Sequence, residues 1–208
     1  DWIVKNTFRN AINPMAWHDE TTARRLITWI AFFDEARKIL TQEKLAFLFS
    51  HIKKHAELLG TDKFYSKNTN HGMFQDQALI VYSDYFSFLE GSKELKLLAC
   101  SRLKEYFDVI FSKEGVHLEH SPYYHSLIAN KLLSYSHYFQ DLDDSFGDYL
   151  IEKYYRAAAF ATYIIKPDGL LPQIGDTQSI KPGNQLWKDN PVYQYAKTQG
   201  RKGQPPEE

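Results

Sequence analysis

The stretch HLEHSPYYH at residues 117–125 gathers side chains that accept or release protons: one acid, three histidines and two tyrosines. Ser121 followed by Pro122 reads as a helix cap and first helical residue, because proline's missing N–H is not needed there. Tyr123, Tyr124 and His125 then fall in the first helical turn. Unpaired backbone N–H groups and the positive end of the helix dipole favour negative charge at that turn. A second stretch, NTNHG at residues 68–72, has the same character. Removing a proton beside a carboxylate needs a group to neutralise the carboxylate, a base, and an acid for the departing oxygen. Asn70 can donate amide hydrogens to a carboxylate without introducing a competing base. A tyrosine at a helix N-terminus, beside a cation such as His71, can act as base, acid, or both in turn. Together Asn70, His71, Glu119 and Tyr124 suit β-elimination next to a carboxylate better than hydrolysis.

The elements that must position these groups read as helices. Apolar residues recur at helical spacing over about 21–40, 42–59, 73–89, 93–111, 122–139 and 148–165, whereas residues 1–20 read as irregular. Strand-like alternation of useful length is missing, so antiparallel helical hairpins are expected. Odd-numbered helices of such an array begin on one rim. That brings Trp17-His18-Asp19, NTNHG, HLEHSPYYH and PDGLLPQIGD to the same end. The helical domain is expected over residues 1–180, with a polar linker or domain boundary at 181–208 rich in Pro, Gly, Lys and Gln.

A net charge of −1 supplies no global field for nucleic acid, so a polyanionic ligand must be held by locally placed groups. The 15% aromatic content is high and suits sugar-binding clefts as well as cores. Cys100 is the single cysteine, which excludes an internal disulfide, and its apolar helical run makes it a core residue. The sequence has no apolar run of membrane-spanning length. His71, His120 and His125 match no standard zinc spacing, so neither a metal centre nor a cofactor is expected in this chain.

The chain resembles the heparinase II/III-like polysaccharide lyases in AWHDETTARR at 16–25, TNHG at 69–72, EHSPYYH at 119–125 and DGLLPQIGD at 168–176. The resemblance spans roughly residues 15–180 and implies an all-α fold, an incomplete (α/α) toroid. It implies that Asn70 neutralises a uronate carboxylate, that Tyr124 is the catalytic acid or base, and that His71 contacts the substrate. Arg24, Glu119 and Asp176 match positions that shape the cleft, and Trp17, His18, His120 and His125 join them as expected substrate contacts. The implied partner is an anionic polysaccharide of glycosaminoglycan, alginate or capsular type, met in the periplasm or outside the cell. Members of the family carry a C-terminal β-sandwich with a further catalytic histidine and room for a structural metal. This chain stops before any strand-rich region, so alone it is expected to be half of an active site and inactive.

Two other readings compete. A glycoside hydrolase would need facing carboxylates about 5–5.5 Å or 6.5–9.5 Å apart, and Glu119 with Asp176 is the candidate pair. A noncatalytic polysaccharide-binding module would keep the groove and lose the chemistry. The bland readings are also specific: Asn70 as a helix cap, Tyr124 as a core tyrosine, Arg24 as a partner for an acid one helical turn away, and Asp141-Asp143-Asp144 as a solvated turn.

Overall fold

The computed structural model describes residues 2–8, 10–140, 145–166, 170–178 and 198. The expected tail at 181–208 and the acids at 141–144 lie outside the described residues, apart from Thr198. The chain divides into two compact units, residues 1–107 and 108–208. Among the described residues no helix is long and apolar enough to cross a membrane.

The first unit opens with a short helix α1 (Trp2–Lys5) and a two-stranded antiparallel hairpin, Asn6–Thr7 with Asn10–Ala11. The sequence reading left this segment irregular, because two-residue strands carry no measurable alternation. A 3-10 turn over Pro14–Trp17 follows, capped by the Asn13 side chain, which accepts the Met15 N–H at 2.9 Å. Three long helices build the core: α2 (Asp19–Ala36), α3 (Gln42–Leu59) and α4 (Asn70–Tyr85). Their order alternates in direction. The starts of α2 and α4 meet where Asp19 lies against His71, and their ends meet where the Tyr85 hydroxyl donates to Asp34 at 2.6 Å. By contrast, Arg25 near the start of α2 reaches His55 near the end of α3.

α2 and α3 bury single stripes, led by Leu26 and Ile30 on one and Leu45, Leu48, Ile52 and Leu59 on the other. α4 differs. Gln75, Asp76 and Ser83 are buried along with Met73, Phe74, Ala78, Leu79, Ile80 and Tyr82, so this helix is enclosed on nearly every side. Two expectations shift here, the bounds of α4 and the place of Cys100. α4 begins at Asn70 and ends at Tyr85, where the periodicity suggested 73–89. Gly60 closes α3 with an ordinary φ of −70°, and the space it leaves is filled by Leu95, 2.8 Å from where a Cβ would stand. Cys100 is half-buried on the next helix rather than a core residue.

Helix α5 (Ser92–Ile110) leads into the second unit, where α6 (Pro122–Gln140) and α7 (Ser145–Ile164) pack along their lengths. They run antiparallel. His125 early in α6 donates to the carbonyl of Ala157 late in α7, and Phe139 at the end of α6 meets Phe146 at the start of α7.

Candidate functional site

In the first unit the polar loop 61–69 is clamped onto α4 by a single glutamine. The Gln75 side chain accepts the Ser66 N–H at 2.8 Å and donates to the Phe64 carbonyl at 2.9 Å. Thr69 caps the helix: its hydroxyl accepts the Gly72 N–H at 3.1 Å and donates to the Ser66 carbonyl at 2.7 Å. The cap is therefore Thr69 and not Asn70. Asn70 follows it, half-buried, and its amide has no hydrogen-bond partner among the described residues. Gly72 is dictated by space, since a Cβ there would overlap the Ser66 carbonyl. Gly72→Ala is expected to destabilise the unit by about 1–3 kcal/mol by overpacking. Thermal unfolding checks this, and an unchanged midpoint would mean that the loop yields.

His71, next in sequence, turns to α2. Its Nδ1 lies 3.0 and 3.2 Å from the two Asp19 oxygens, and its Nε2 is 3.5 Å from Glu20. His18 Nδ1 reaches the same Asp19 oxygen at 2.8 Å, with the two imidazoles edge to face at 5.3 Å. The Ser66 hydroxyl donates to the other Asp19 oxygen. Burial opposes ionisation of Asp19, but the hydrogen bonds from Ser66, the Glu20 backbone and His71 hold it below the usual carboxylate range. The His18, Asp19 and His71 donor atoms all lie within 4.8 Å of one another, a set able to hold a divalent cation. It differs from the trio of histidines weighed from sequence. The sequence places Asp19 at the rim with Trp17 and His18 without assigning it a role, and an acid opening α2 was the available signal for one.

Arg24 pairs with Glu20 one turn back at 2.7 Å and lies over the Phe74 ring at 4.3 Å. Trp17 belongs to a different cluster. Its indole N–H donates to the Asn6 carbonyl at 3.0 Å, and its ring lies against Phe8, His55 and Arg25. There it lines a cavity of about 340 Å³ with Trp2, Phe8 and Trp29.

In the second unit Ser121 caps α6, as the sequence predicts, accepting the Tyr124 N–H at 3.4 Å. The segment 170–178 docks on this helix start through Thr177, which is buried. Its hydroxyl oxygen accepts the Tyr123 N–H at 3.1 Å and lies 3.0 Å from the Ser121 hydroxyl. Thr177 thus satisfies a backbone donor that the helix leaves open. Tyr124 is half-buried against Tyr123, and its hydroxyl has no hydrogen-bond partner among the described residues. His120 is exposed with φ +55°, a left-handed conformation that non-glycine residues adopt sparingly. Glu119 is exposed beside it. Partial desolvation raises its carboxyl above the ordinary range, and the charge of Asp176 raises it further.

His125 requires a correction. It was expected to touch substrate, but it is 3% exposed and both ring nitrogens are engaged: Nε2–H donates to the Ala157 carbonyl at 2.9 Å and Nδ1 accepts the His117 N–H at 3.3 Å. Desolvation holds it neutral, with its pKa lowered. It joins α6 to α7. Within each unit taken by itself expected rim clusters meet: α2 with α4 in the first, and the start of α6 with residues 170–178 in the second.

The sequence matches the family described as Heparinase II/III N-terminus over residues 1–197, and the chain belongs to that family. Among solved structures, a heparinase III matches with a TM-score of 0.73 at 17% identity, covering 98% of this chain and 36% of that one. A heparan sulfate lyase HepC mutant from Pedobacter heparinus matches at 0.69 and 18% identity, covering 100% and 35%. A second heparinase III gene product matches at 0.69 and 20% identity, covering 99% and 37%. At these identities the likeness shows the fold, the all-α hairpins of an incomplete (α/α) toroid. The chain spans little more than a third of those proteins. No curated protein matches in sequence.

Proposed function

We propose that this chain is the helical part of a lyase that cleaves a uronic-acid-containing polysaccharide by β-elimination. What supports it is membership of the heparinase II/III N-terminal family together with the amide and imidazole groups at the start of α4 and the phenol at the start of α6. In the proposed reaction Asn70 donates to the uronate carboxylate, which acidifies the neighbouring C5–H. The C5 proton goes to the base, its electron pair forms the C4=C5 double bond, and the C4–O bond breaks. The departing oxygen takes a proton from the acid. Tyr124 serves as acid, base, or both, with His71 beside the carboxylate and Arg24, His18 and His120 along the polymer. The heparan sulfate lyase among the similar structures makes sulfated glycosaminoglycans the first polymers to test.

A hydrolase reading keeps one specific support: Asp176 acts on Glu119, so one carboxyl is held toward its acid form beside a charged one. Product chemistry separates the two. Digestion of a uronic-acid polysaccharide panel by the full-length protein should give rising ultraviolet absorbance from the new conjugated double bond. New reducing ends without absorbance would transfer the reaction to Glu119 and Asp176.

A further inference from the structure

We propose that Asp19 is a positioning residue for this reaction: its carboxylate accepts the Nδ1 proton of His71 and thereby fixes that ring beside Asn70, with Nε2 3.5 Å from Glu20. The inference rests on the lyase reading and names a residue that neither the sequence motifs nor the carried-over roles assign. Asp19 Oδ1 is 2.8 Å from His18 Nδ1, 3.0 Å from His71 Nδ1 and 2.6 Å from the Glu20 N–H, and Oδ2 takes the Ser66 hydroxyl. A carboxylate only accepts hydrogen bonds, so His71 must carry its proton on Nδ1 when neutral. His18 Nδ1 lies within ion-pair range of the same oxygen. His71 adjoins Asn70 in the first turn of α4, so fixing this ring sets the surface beside the amide that is proposed to meet the carboxylate. Through Ser66 the same residue also holds the loop that Thr69 closes, and one side chain ties the starts of α2 and α4 to the loop between them.

The test joins nitrogen NMR of the histidine rings to the elimination rate. In the wild-type protein, at a pH where the ring is neutral, His71 should show the Nδ1–H tautomer. Asp19→Ala should return it to the Nε2–H form that free imidazole side chains prefer, and in the full-length protein should lower kcat/KM by about 10–100-fold, mostly through kcat, as loss of an orienting carboxylate does. Asp19→Asn, which keeps one acceptor oxygen, should fall between. A purely structural role would lower the unfolding midpoint and leave the tautomer unmoved, and that result overturns the proposal. So does a tautomer change with no change in rate. Stoichiometric zinc that displaces the His71 Nδ1 proton also overturns it, in favour of a metal centre. A full-length protein with the His71 tautomer pinned but no elimination on any polymer would locate the failure in the proposed reaction instead.

Discussion

Tyr124→Phe is expected to slow β-elimination by about 10²–10⁴-fold, the range that general acid–base catalysis contributes, while leaving the fold unchanged. The structural argument is that the Tyr124 hydroxyl has no hydrogen-bond partner among the described residues, so its removal leaves no buried donor or acceptor orphaned. The ring keeps its edge-to-face contact with Tyr123 at 5.6 Å, and the backbone cap from Ser121 is untouched. Ultraviolet-monitored digestion measures the rate, and thermal unfolding checks the fold. Since the variant loses a proton carrier and no binding surface, the deficit should appear in kcat with little change in KM. An unchanged rate with a lyase product would remove Tyr124 from the chemistry and turn attention to His71.

Raising the pH from 6.5 to 8 is expected to cost the first unit about 2 kcal/mol of stability, since each pK unit is worth about 1.4 kcal/mol. The cause is Asp76, fully buried on α4. Desolvation pushes its carboxyl up to about 8, against the opposing pull of Arg102 and the hydrogen bond donated by the Tyr65 hydroxyl at 3.1 Å. Arg102 supplies only part of the compensation because it is shared. It stacks on Tyr65 at 4.0 Å, donates to the Leu59 carbonyl at 3.2 Å and pairs with Asp62 at 2.8 Å, while its contact with Asp76 is 3.9 Å. Between an unfolded pKa near 3.9 and the folded value of about 8, the folded chain binds a proton that the unfolded chain lacks. Stability therefore falls as pH rises through that window.

Below pH 6.5 the buried histidines act oppositely. His55 and His117 are each pushed down to about 4, first by desolvation, and stay neutral in the fold while the unfolded chain takes up protons. Their contribution is lost as pH falls from 6.5 toward 4, so the interval from 6.5 to 8 isolates Asp76. Denaturant unfolding across that interval should show the slope in the wild type and lose it in Asp76→Asn. A persisting slope in the variant would assign it to another group.

Periodicity located the long helices because each of α2 and α3 buries one stripe, and a stripe is a local property of sequence. The same method misjudged α4. Gln75, Asp76 and Ser83 look like a polar face, but the helix is enclosed and those side chains serve the loop and the buried network. The caps divide similarly. Ser121 was legible because Pro122 marks the position, whereas Thr69 and Asn70 compete as caps in sequence and only the loop path to Ser66 decides between them.

The residue types at the candidate site, their placement at helix starts and the alternation that joins α2 to α4 were determined by the sequence itself, since all follow from spacing and cap chemistry. Which of those groups are free to act was decided by tertiary structure. His125 and His71 look alike in sequence, each at the start of a helix beside polar neighbours. One has both ring nitrogens engaged in the core, while the other shares a carboxylate with His18 in a half-exposed cluster. That difference arises because the partners, Ala157 for one and Asp19 for the other, lie 32 and 52 residues away. Contacts at such separations are set by packing, and local spacing carries no record of them.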